Sequence, residues 1–181
     1  MAPLCRPSFG AWCRRWMTRW KGPSIRSQER RIEVEKRDFS KWEPLIAAAL
    51  VKEFEGLRLE AYLCPAGVPT IGYGHTHGVQ LGTRISADQA DQLLTVDLER
   101  VRLQLLQSVK VPVSEGQFKA LLSFAFNFGA AAVKDSTLLK YLNAGKFEAA
   151  AQEFSRWVYV RGKRVPGLER RRAREAAVFA S

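Results

Sequence analysis

The sequence predicts an α+β fold, a mostly helical body carrying a small antiparallel hairpin toward its front, and three observations support it. Between Glu55 and His75 the pattern alternates: Leu57, Leu59 and Ala61 interleave with Arg58 and Glu60, Cys64-Pro65-Ala66-Gly67 signals a turn, and Pro69 to Tyr73 is a second short extended run. Beyond the hairpin, Leu94, Leu98, Val101 and Leu105 recur at helical spacing and define one buried stripe. Ser86 with Gln89 and Ser114 with Gln117 are capping boxes, each reciprocally satisfying backbone donors at the start of a helix.

Taken in order, residues 1–22 hold five basic residues and no acidic one. Phe9, Trp12, Cys13, Trp16, Met17 and Trp20 fall at the spacing of one helix face, with Ser8 as a cap and Gly22-Pro23 as a stop. Two readings stand: a membrane-surface helix that meets anionic lipid through residues 8–20, or a disordered extension with accidental periodicity, since so short an isolated helix is marginal in water. Residues 24–39 are dense in charge of both signs and read as a linker or a solvated helix. The division expected is therefore a basic extension and charged linker over 1–39 and a folded domain over 40–181, opened by Ser40 as a cap with Glu43 and by Pro44 in the first turn. LIAAALVKEF then forms a helix that Gly56 ends just after Glu55. Residues 76–83 are a polar loop, and Pro112 ends the helix carrying the buried stripe. FKALLSFAFNF is apolar on nearly every side, which places it at the centre of the core. STLLKYLNAG, KFEAAAQEFSRWV and, after the VRGKRVPG loop, GLERRRAREAAVF complete the helical set.

A chain of 181 residues is one domain plus extensions. Its formal charge of +11 favours polyanionic partners, among which nucleic acid, anionic membrane and bacterial wall polymers all qualify. No RNA-binding aromatic signature or zinc-finger spacing raises the nucleic-acid reading above charge alone, so no nucleic-acid partner is expected. Cys5, Cys13 and Cys64 are too few and scattered for a disulfide framework or a metal site. No apolar run reaches the ~18–20 residues of a membrane span and no secretory signal is evident, so synthesis and folding in the cytoplasm are expected.

Read singly, the polar residues have ordinary explanations. Glu55 is a solvated carboxylate at the disfavoured end of a helix dipole. His75 lacks a nearby nucleophile or metal ligands in sequence, Asn127 caps a helix near Gly129, and Arg170, Arg171, Arg172 and Arg174 form a solvated basic face. A general acid working near neutral pH must hold its proton, usually through burial or apolar packing. Spacing singles out Glu55 for such a role, in the pattern E-G-x-R-x-x-A-Y, a turn, then T-I-G-Y-G-H.

That signature, together with QFKALLSFAFNFG, STLLKYLNAG and GLERRRAREAAVF, resembles the phage-type lysozymes, muramidases encoded by lambdoid phages and prophages, over roughly residues 45–179. The resemblance implies a lysozyme-like fold and hydrolysis of the β-1,4 bond between N-acetylmuramic acid and N-acetylglucosamine in peptidoglycan, with inversion and with no metal or organic cofactor. It makes Glu55 the general acid, puts Cys64 where many members have a second carboxylate, and gives Thr70 the positioning of the attacking water. It pairs His75 with Asp97, and it suggests Asn127 and Arg171 as saccharide contacts. It implies a monomer made in the host cytoplasm that reaches the wall at lysis with help from a holin. Cys64 is the departure, since a thiol is mostly protonated near neutral pH and a weak base. Two other readings follow: an inactive homologue that only binds peptidoglycan, or a basic membrane-disrupting protein acting through its N-terminal helix.

Overall fold

The computed structural model describes residues 34–181, which form a unit of their own. It begins with a two-residue strand β1 (Lys36–Arg37) in a stretch expected to be linker. Residues of that stretch join the described fold: β1 pairs antiparallel with Val113–Ser114, and Phe39 is only 2% exposed against the ring of Phe118, 4.9 Å away. Ser40 lies inside a 3-10 turn over Phe39–Lys41 that Asp38 caps, accepting the Ser40 amide at 2.9 Å, and the helix opened by Pro44 has Glu43 at its N-cap with no side-chain bond.

Pro44 sits in the first turn as expected, but the helix it opens is composite, a 3-10 turn over Pro44–Ala47 followed by α1 over Ala48–Lys52. The chain then unwinds through Glu53–Glu55, still bonded back to Ala49 and Val51, before the strands β2 (Arg58–Leu63) and β3 (Pro69–Gly72). These pair antiparallel, Tyr62 opposite Thr70, and Gly67 takes φ 77° in the turn between them.

Both capping boxes are present. Ser86 opens α2 (Ala87–Leu105), and Ser114, in β4 (Val113–Ser114), opens α3 (Glu115–Phe128). Short helices α4 (Ala130–Lys134), α5 (Thr137–Asn143) and α6 (Phe147–Glu153) follow, with a 3-10 turn over Phe154–Arg156. Within the expected VRGKRVPG loop, β5 (Tyr159–Val160) and β6 (Lys163–Arg164) form a tight hairpin turned by Arg161 and Gly162, both at positive φ. Helix α7 (Pro166–Phe179) ends the fold.

As its composition predicts, α3 is the hub. Its buried residues run from Gly116 to Ala125, and the aromatic rings of Phe124, Phe128, Phe154, Trp157 and Phe179 interlock around its C-terminal half. Helix α7 lies so close to the start of α3 that a Cβ on Gly116 would come within 2.2 Å of the Val178 carbonyl oxygen. That seam brings the last helix of the chain beside Glu55. No helix among the described residues is long and apolar enough to cross a membrane.

Candidate active site

Glu55 follows the last turn after α1, its amide donating to the Val51 carbonyl at 3.0 Å. Its side chain is 25% exposed, and one oxygen, Oε1, accepts from Arg171 Nη1 at 2.5 Å. Arg171 is 4% exposed and fully engaged: Nε donates to Glu175 Oε1 at 3.1 Å, Nη2 donates to the Ser123 carbonyl at 3.3 Å, and the guanidinium lies over the Phe54 ring. Arg171, expected to contact saccharide, binds Glu55 and also lines the cavity beside it. That cavity, about 600 Å3, is walled by Phe54, Glu55, Asn127, Arg170, Arg171 and Arg174, among others. Asn127 lies where expected, at the end of α3, and accepts from Arg172 Nη2 at 3.2 Å.

Behind this surface is a cluster that sequence reasoning missed. Glu175 is completely buried, and its Oε1 accepts from Ser123 Oγ at 2.7 Å, Arg172 Nη2 at 3.0 Å and Arg171 Nε. Arg172 Nε also lies 2.9 Å from Oε2, but too poorly aligned for a hydrogen bond. The Arg172 guanidinium is 4.7 Å from the centre of the Phe124 ring and 5.1 Å from that of Phe128, aromatic faces that attract a cation in place of further acceptors. Burial pushes the Glu175 carboxyl up from its ordinary value, with the charge of Arg172 opposing, and burial pushes Arg172 down to about 10. Surrounded only by donors, Glu175 is matched to its carboxylate form. A signal for this cluster was available: Arg171 and Arg172 stand four and three residues before Glu175, the spacings at which helical side chains meet.

The hairpin carries the remaining residues. Thr70 is 4% exposed and gives its hydroxyl proton to the Val68 carbonyl at 2.9 Å, an oxygen that also accepts the Cys64 amide at 3.0 Å. Backbone hydrogen bonding at Val68, then at Ala66, holds the half-buried Cys64 thiol below its ordinary value, and the Thr70 hydroxyl adds to the effect. Cys64 and Thr70 are thereby brought together, but neither lines the cavity beside Glu55. The His75–Asp97 pair forms between the end of the hairpin and α2, with Nδ1 2.8 Å from Asp97 Oδ2 and Nε2 2.9 Å from the His77 carbonyl. Its place is structural. Among the described residues, no group of His, Cys, Asp and Glu gathers that could hold a metal ion.

A family model for phage lysozyme matches residues 52–175, more than half of the chain. The chain belongs to the phage lysozyme family. The match runs from just before Glu55 to Glu175, so it encloses both carboxylates that Arg171 bridges. The lysozyme is 46% identical over 136 residues to the endolysin of Acyrthosiphon pisum secondary endosymbiont phage 1, covering 73% of this chain and 93% of that one. It is 40% identical over 136 residues to the endolysin of Salmonella phage P22, covering 72% and 92% of the two chains. Among solved structures, the muramidase domain of SpmX from Asticaccaulis excentricus superposes with a TM-score of 0.71 at 38% identity, covering 75% of this chain and 95% of that one. The expected lysozyme-like α+β fold is thus the observed one, and the lysozyme is a glycoside hydrolase.

Proposed function

We propose that this lysozyme cleaves the β-1,4 bond between N-acetylmuramic acid and N-acetylglucosamine by a single displacement with inversion, Glu55 supplying the proton. One observation carries the reading: Glu55 is partly open on the cavity while Arg171 fixes it from the protein side through a single oxygen. Glu55 gives its proton to the glycosidic oxygen as the bond to the anomeric carbon breaks, and water attacks that carbon from the opposite face. The hairpin supplies the water side, Thr70 orienting it and Cys64 standing where the attacking water loses its proton. A thiol held below its ordinary value offers more thiolate than a free cysteine does, which suits this role. Thiolate also suits a nucleophile, but a covalent route takes two displacements and yields the β product.

The test is reducing-end release from purified peptidoglycan. Glu55→Gln is expected to lose at least about a hundredfold in rate with an unchanged melting temperature, because the amide keeps the shape but has no proton to give. Release by the variant at the wild-type rate would remove the assignment, as would a wild type that binds peptidoglycan without cleaving it. Anomeric analysis of fresh product is expected to show inversion, and a β product with a trapped Cys64 adduct would replace the water route.

The partner proposed is peptidoglycan, reached from the host cytoplasm at lysis, in keeping with the names of the endolysin relatives; the monomeric state and the need for a holin are proposed with it. The Trp-bearing segment 8–20 lies outside the described residues. Its proposed role on anionic membrane predicts that removing residues 1–22 weakens vesicle binding and leaves cleavage of purified peptidoglycan intact.

A further inference from the structure

Glu175 has no step in the reaction above and no access to a saccharide. A fully buried carboxylate is costly unless its charge answers others. Here the others are Arg171 and Arg172, two guanidinium groups side by side next to a carboxyl that must carry a proton to work. Two unopposed positive charges would favour the proton-free form of that carboxyl.

The geometry adds a second constraint. Arg171 spends Nε on Glu175 and Nη2 on Ser123, which leaves Nη1 alone for Glu55 Oε1. A guanidinium released from Glu175 could turn its fork onto both oxygens of Glu55, the strongest arrangement for an ionised carboxylate. Other charges on the packed elements are met locally or are few: Arg174 pairs with Glu53 at 3.2 Å, Lys52 with Asp91 at 2.7 Å, Lys119 with Glu115, and Arg156 with Glu153, while Arg170 lines the cavity.

We propose that Glu175 is a positioning residue for the acid: it neutralises one of the two guanidinium groups and holds Arg171 to a single bond with Glu55, so that Glu55 meets one unopposed positive charge and not two. The inference rests on the muramidase reading of Glu55.

The experiment is the pH profile of kcat/KM on purified peptidoglycan for the wild type, Glu175→Gln, Arg172→Met and the double variant. Glu175→Gln leaves the two positive charges unopposed and is expected to move the alkaline limb down by roughly one pH unit, while Arg172→Met removes one and moves it up. The double variant removes both buried charges and is expected to return the limb to its wild-type place. If Glu175→Gln does not fold, Arg172→Met carries the test, since its limb is expected to move up and an unmoved one overturns the inference. Loss of rate with an unmoved limb in the folded single variants would assign Glu175 a packing role only and overturn the inference, as would shifts of the same sign in the two single variants. An inactive wild type or an active Glu55→Gln would overturn the muramidase reading and this inference together. An active wild type with unmoved limbs overturns this inference alone.

Discussion

The two sides of the site are built in opposite ways. On the helical side, Glu55 is held by Arg171, which is itself held by Ser123 and Glu175, all packed where α3 meets α7. On the hairpin side, β2 is exposed along most of its length, and Cys64 and Thr70 depend on a turn whose bonds converge on one carbonyl, that of Val68. The proposed proton donor is held from several directions and the proposed water side lightly. Holding a carboxyl beside buried charge takes a rigid surround of countercharges and donors, whereas orienting water takes only a short strand and a hydroxyl.

If that contrast is right, substitutions on the helical side act mainly through stability and those on the hairpin do not. Arg171→Met is expected to cost the most, about 3–5 kcal/mol in urea unfolding, because it strips both Glu175 and Glu55 of a buried partner. A cost below ~1 kcal/mol would show that the cluster relaxes and would weaken the contrast. Gly116→Ala comes next, at about 1–3 kcal/mol, since its methyl group would meet first the Val178 carbonyl oxygen, backbone of α7 that cannot swing aside as a side chain can. Cys64→Ser is expected to shift stability by less than ~0.5 kcal/mol and to keep substantial cleavage. A crippled Cys64→Ser with an intact fold would mean that the hairpin side carries chemistry that water positioning does not explain.

The smallest effect is a titration. Because the turn holds the Cys64 thiol below its ordinary value, its thiolate fraction rises at lower pH than that of a free cysteine. Alkylation located at Cys64 by mass spectrometry is therefore expected to accelerate with a midpoint below that of an unstructured cysteine peptide. A midpoint at or above the peptide's would remove the turn's influence.

The same division marks what was legible in the sequence. The hairpin, the two capping boxes and the central helix announce themselves through local patterns of alternation, serine spacing and apolar runs, and they lie where expected. Glu55 and Thr70 stood out because the signature is contiguous. Phe39 and β1 did not, because their burial depends on Phe118 and Val113, far along the chain, while their neighbours are charged. Glu175 was hidden by its own context: an arginine run reads as a solvated face until α3 is known to cover it. The bonds of Arg171 to Glu55, Glu175 and Ser123 were likewise invisible, because their partners lie far apart in the chain except for Glu175.

The order of the chain has a consequence for its birth. Glu55 leaves the ribosome before Arg171 and Glu175, which sit in α7, and β1 waits for Val113–Ser114 before it has a partner. A nascent chain ending before Pro166 has the acid but not the guanidinium that aims it, nor the helix that closes the core around α3. Such a chain is expected to unfold without cooperativity and to leave peptidoglycan uncut, which pulse proteolysis of stalled chains can measure. The proposed acid is thus aimed only once Arg171 and Glu175 have joined the chain, so a translation product cut short before them carries the signature without the danger.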